Sequence, residues 1–77
     1  MNVDQVVWTD PDRVGGIPCF TGTRVPVKTL LDYLEAGDSL EDFAEDFPSV
    51  SREQAIALLE IGATKAAQLA QEHALAA

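Results

Sequence analysis

The 77-residue chain carries 13 acidic residues against five lysines and arginines, a net charge of -8, and 47% apolar side chains. That suits one small domain, near the lower size at which a single core suffices without staples. With Cys19 the single cysteine and His73 the single histidine, a disulfide framework and a zinc site are excluded and no cofactor is expected. The absence of a basic footprint disfavours tight nucleic-acid binding by a lone monomer.

Along the chain, Val3 to Thr9 includes the β-branched and aromatic run Val6-Val7-Trp8-Thr9, ended by Asp10-Pro11-Asp12. It reads as a short strand and a turn. Gly15 to Val27 packs three glycines, two prolines and Arg24 into one stretch, which specifies a built turn and not a slack linker. Within it, Ile17–Phe20 and Val25–Val27 are candidate extended pieces, with Pro18 and Pro26 limiting them to edge or turn roles.

The period then becomes helical. Val27, Leu30, Leu31 and Leu34 share one face, Pro26 suits the first turn and Gly37 is the stop. Leu40, Phe43, Ala44 and Phe47 repeat the spacing in a second helix, with Ser39 as N-cap and Pro48 beyond its end. Ser51 and Gln54 form a capping box for a third helix, whose pattern through Ala55, Leu58, Leu59, Ala66, Leu69 and Ala70 persists nearly to the last residue. Gly62 either permits close packing or marks an extension over 63–77. The expected fold is therefore mainly α: a short N-terminal strand or hairpin segment over 1–27, then three helices over 27–77, in one domain.

No constellation supports catalysis. Cys19 between Pro18 and Phe20 reads as a packed structural thiol, and Ser39, Ser49 and Ser51 as caps and turn residues. Asp42, Glu45 and Asp46 share a helix face and could be read as a metal cluster, but acids on an exposed face give the same pattern. Arg24 either fixes its turn by holding carbonyls or a carboxylate, or contacts phosphate beside Arg13 and Lys28. The helices around Phe47-Pro48-Ser49-Val50-Ser51 could form a helix-turn-helix, with Arg52 and Gln54 as base readers and Arg24 and Lys28 as phosphate contacts.

Charge is uneven. From Asp32 to Glu53 there are eight acids against Arg52 alone. They read either as solvated helix faces or as a surface complementary to a basic partner such as a nuclease. No basic-then-apolar leader opens the chain and no apolar run is long enough to cross a membrane, so a cytoplasmic location is expected.

The pattern Gly16-x-Pro18-x-x-x-Gly22-Thr23-Arg24-Val25-Pro26-Val27, with Leu30-Leu31, Gly37, Ser39 and Phe47-Pro48, resembles the prokaryotic family grouped as domain of unknown function 433, predicted antitoxins of toxin–antitoxin pairs. The resemblance runs from about Asp10 to Gly62. It implies a small helix-turn-helix-like fold, no catalysis, and a neighbouring toxin with a PIN-like ribonuclease fold, with operator DNA as a second ligand. The strong acidity departs from a typical DNA-binding antitoxin. Apolar positions beyond the expected core place the toxin contact on Ala66, Leu69, Ala70 and His73, as a helix in a groove, and the apolar content favours a homodimer. A DNA-binding regulator with no toxin, and an interaction module that touches no nucleic acid, are the alternatives.

Overall fold

In the computed structural model, residues 1–10, 12 and 16–76 are described, with side chains through residue 73. The chain is mainly helical, with α1 (Val3–Val6), β1 (Val7–Trp8), β2 (Cys19–Phe20), α2 (Val27–Glu35), α3 (Leu40–Asp46) and α4 (Arg52–Ala76) in that order. β1 and β2 pair antiparallel, Val7 opposite Phe20 and Trp8 opposite Cys19. The expected helical part is present with its predicted limits, and the N-terminal segment differs in detail.

The first difference is α1. The strand expected from the run Val6-Val7-Trp8-Thr9 is present at Val7–Trp8, while Val3–Val6 before it forms a helical turn. The Gln5 carboxamide accepts from the Asn2 backbone N–H at 2.8 Å, and this local cap outweighs the strand preference of Val3 and Val6. The second is the Val25–Val27 piece, which reduces to an isolated bridge between Cys19 and Pro26 before α2 begins at Val27.

The helix boundaries follow local chemistry. At α2's C-terminal end Gly37 takes φ +87°, a left-handed conformation that glycine reaches without a Cβ penalty. The Ser39 hydroxyl accepts from Asp42 N–H at 3.1 Å, and the Asp42 carboxylate accepts from Ser39 N–H at 2.9 Å. Ser51 and Gln54 repeat the arrangement at the start of α4, with 3.2 and 3.0 Å contacts. Gly62 does not stop α4, which runs for 25 residues, about 37 Å.

The core is Phe20, Leu30, Phe43, Val50 and Ala55, with Val25, Val27, Tyr33, Leu40, Phe47, Leu58 and Leu59 packed around it. Phe43 is its hub, with ring centroids 5.8 Å from Phe20, 5.5 Å from Tyr33 and 5.2 Å from Phe47. Offset and edge-on aromatic pairs of this kind add about 0.5–1.5 kcal/mol each beyond the area they bury. On α2, only Leu30 is buried, whereas Leu31 and Leu34 stay 45% and 37% exposed.

Phe43→Ala is expected to cost about 3–5 kcal/mol, comparable with the whole stability of so small a domain. Chemical denaturation should show the variant largely unfolded at room temperature, while Ile17→Ala, at a site 56% exposed, keeps the wild-type midpoint.

Candidate functional site

The glycine-rich turn is a structural joint. Gly22 takes φ +80°, and the buried Thr23 hydroxyl donates to Phe20 C=O at 2.8 Å while accepting from Val25 N–H at 3.1 Å. The backbone closes the loop with Phe20 N–H donating to Val25 C=O at 2.9 Å and Thr21 N–H donating to Val6 C=O at 3.0 Å. Trp8 Nε1 donates to Thr23 C=O at 3.3 Å. Thr23 performs the role that sequence reasoning assigned to Arg24. Arg24 is exposed, and it has no hydrogen-bond or ion-pair partner among the described residues. The Arg13 and Gly15 readings lie outside the described residues.

Gln54 is tied down from several sides. Besides accepting from Ser51 N–H, its amide nitrogen donates to Gln5 C=O and to Thr21 C=O, both at 3.2 Å. One side chain thus joins the N-terminus of α4 to α1 and to the turn. Sequence reasoning saw only the capping half of this role, because the other two partners are 49 and 33 residues away.

The remaining cations proposed for DNA are paired within the chain. Lys28 Nζ lies 2.8 Å from Asp32, one turn along α2, and Arg52 lies 3.5 Å from Glu41 of α3. Both pairs are exposed, and such contacts contribute little to stability. Their consequence is electrostatic: the Asp32 hydrogen bond and charge raise the Lys28 pKa and partly offset its charge.

Asp32, Glu35, Asp38, Glu41, Asp42, Glu45, Asp46 and Glu53 are all exposed. The metal reading of Asp42, Glu45 and Asp46 finds no support, because no group of three or more ligating side chains converges among the described residues. Asp42 is instead held in its cap, where the backbone and hydroxyl of Ser39 push its pKa down. Asp46 accepts from the Tyr33 hydroxyl at 2.5 Å. That bond, with desolvation and the Asp46 charge behind it, pushes the Tyr33 pKa up to about 12.

Beside the acidic face lies an apolar one. α2 packs on α3 and β2, while α4 packs on α1 and α3. Between α2 and α4 a groove of about 340 Å³ remains, lined by Val27, Leu31, Leu58, Leu59, Gly62 and Ala63. Beyond it α4 continues outward, and Ala66, Leu69, Ala70 and His73 are all exposed, Leu69 by 51%. The four residues expected to meet a partner therefore extend the floor of the groove by helical spacing. The DNA candidates form no such continuous face: Gln54 faces inward, and Lys28 and Arg52 sit among acids.

A short helical turn, a two-residue ladder and three capped helices around an aromatic core define a small mainly α domain. Residues 7–60 match the family described as "Protein of unknown function (DUF433)", and the chain belongs to that family. It is 40% identical over 50 residues to "Uncharacterized protein y4eO" of Sinorhizobium fredii (strain NBRC 101917 / NGR234), covering 65% of this chain and 23% of that relative. The chain thus matches about a quarter of the length of that curated relative. No solved structure matches. No helix among the described residues is long and apolar enough to cross a membrane.

Tyr33 is the only tyrosine, so its ionisation can be followed by absorbance. The raised pKa means that the Tyr33–Asp46 contact stabilises fully below pH 10, the group's ordinary value, and is lost as pH rises through about 12. The titration midpoint should fall toward 10 in Asp46→Ala. Asp42 runs the other way: its contribution is present above its ordinary value of 3.8 and is lost as pH falls through the lowered folded value. Ser39→Ala is expected to cost about 0.5–2 kcal/mol at neutral pH, with the gap to wild type narrowing in acid melts.

Proposed function

We propose that this chain is a non-catalytic, antitoxin-like protein that binds and neutralises a basic ribonuclease of PIN-like fold. The observation that carries the reading is the exposed apolar face of α4, Ala66, Leu69, Ala70 and His73, beside an exposed acidic surface on α2 and α3. A helix face of this kind seats in a partner's groove, while the acids steer a basic partner and raise its association rate. The chain's membership in the DUF433 family, the family that its turn motif resembles, is compatible with this reading through the antitoxin role which that resemblance implies. The protein works in the cytoplasm, where the ribonuclease finds its RNA.

Operator binding is the secondary activity in this proposal, made by a dimer through the exposed Arg52, Arg24 and Lys28, because Gln54, the fourth candidate, is engaged with Ser51, Gln5 and Thr21. The internal pairing of Lys28 and Arg52 favours a protein over DNA as principal partner. Any DNA affinity is expected to be weak and to fall steeply with salt.

Pull-down of the tagged chain from its native cells should recover a small basic nuclease in stoichiometric amount. Removal of residues after Lys65 should abolish that capture while leaving the melting transition of the core largely intact. Unchanged capture by the truncated chain would overturn the assignment of the contact to α4.

A further inference from the structure

α4 changes character at Gly62. From Gln54 to Ile61 every residue except Glu60 is buried or half-buried, with Ala55 only 1% exposed and Leu58 and Leu59 packed on the core. From Gly62 to His73 every residue is exposed. Side-chain ties divide at the same level. Gln54 binds α1 and the turn, and Arg52 pairs with Glu41, whereas among the described residues no side chain from Gly62 to His73 forms a hydrogen bond or ion pair. Met1 and Val3 border Thr64, Lys65 and Gln68 across one hollow, but they are 65% and 54% exposed themselves and give the helix little anchorage.

A helix that has left its core keeps only its own backbone hydrogen bonds. The anchored half, Arg52 to Ile61, supplies the nucleus, so residues beyond Gly62 join it without the cost of initiation. Each added residue then gains one backbone bond against its own ordering, a balance near even for a solvated segment. Glycine at the junction weights that balance toward opening by about fivefold relative to alanine. Packing within the chain does not call for glycine there, since an added Cβ would meet nothing within 4 Å. Opening beyond Gly62 also uncovers little apolar surface, because the segment is exposed already, Leu69 by 51%.

We propose that Gly62 divides α4 into two thermodynamic units. The inner half opens only when the domain unfolds. The outer arm, beyond Gly62, unwinds and rewinds by itself while the core stays folded. Local openings of this kind belong to segments with few buried apolar contacts and solvated backbone bonds, and the arm has both. The arm has this property whether or not a partner protein binds it. Leu69 therefore sits on the part of α4 with the least local stability, where order is gained or lost without cost to the domain.

Native-state amide hydrogen exchange on the purified full chain, followed residue by residue by NMR at increasing urea, tests this division. Corrected for intrinsic rates, the amides of Leu58 and Leu59 should exchange about a hundredfold or more slower than those from Ala67 to His73. Urea below the unfolding midpoint should accelerate the inner amides steeply and leave the arm nearly unchanged, because denaturant dependence scales with the surface an opening exposes. Gly62→Ala should slow exchange in the arm, by up to about fivefold. Arm amides that exchange as slowly as Leu59, with the same urea slope, would overturn the proposal. An arm indifferent to Gly62→Ala would overturn the role of Gly62 as the junction.

Discussion

The fold depends on the tight reversal between Phe20 and Val25. Phe20 is fully buried against Phe43, and it arrives there because its backbone N–H bonds Val25 C=O while Thr23 fills the turn from inside. Gly22 supplies the positive φ that the path requires. The same reversal sets Cys19 and Phe20 beside Trp8 and Val7 and delivers the chain to Pro26 at the start of α2. A two-residue ladder is far too short to stand on its own. It persists because it is part of the wall of an aromatic core, clamped by Gln54 from α4.

That clamp makes the N-terminal third and the longest helix one unit. The Gln54 carboxamide links Ser51, Gln5 and Thr21, so α1, the turn and α4 are held by one side chain. Among the described residues no buried side-chain nitrogen or oxygen lacks a hydrogen-bond partner, which a core of this size can ill tolerate otherwise. The polar groups of the motif region thus serve the fold, while the acids of α2 and α3 and the apolar side chains of α4 such as Leu69 stay exposed. The proposed function assigns these surfaces to a protein partner, the helix for affinity and the carboxylates for association rate.

Much of this was legible in the chain. Ser39 with Asp42, and Ser51 with Gln54, announced their helices, and Gly37 its stop, because capping acts within four residues and needs no tertiary partner. The apolar face beyond Gly62 was visible as periodicity. What differed was also local in origin: the strand expected from Val6-Val7-Trp8-Thr9 holds at Val7–Trp8, while the Asn2–Gln5 cap draws Val6 into a helical turn with Val3. Arg24 drew the eye as the charged residue of the motif, whereas the hydroxyl of Thr23 holds the turn.

By itself, the sequence determined where the three long helices begin and end, that the charge is acid on their outer faces, and that no disulfide or zinc could staple the domain. Only the tertiary structure decided which leucine of α2 is core and which lines the groove. Leu30 and Leu31 are adjacent and chemically identical, and packing against Phe20 and Phe43 separates them. It also decided that Gln54 joins three elements, since its carbonyl partners lie 33 and 49 residues away. Caps and periods are encoded between near neighbours in the chain. The choice of a distant partner is encoded only in how the elements meet.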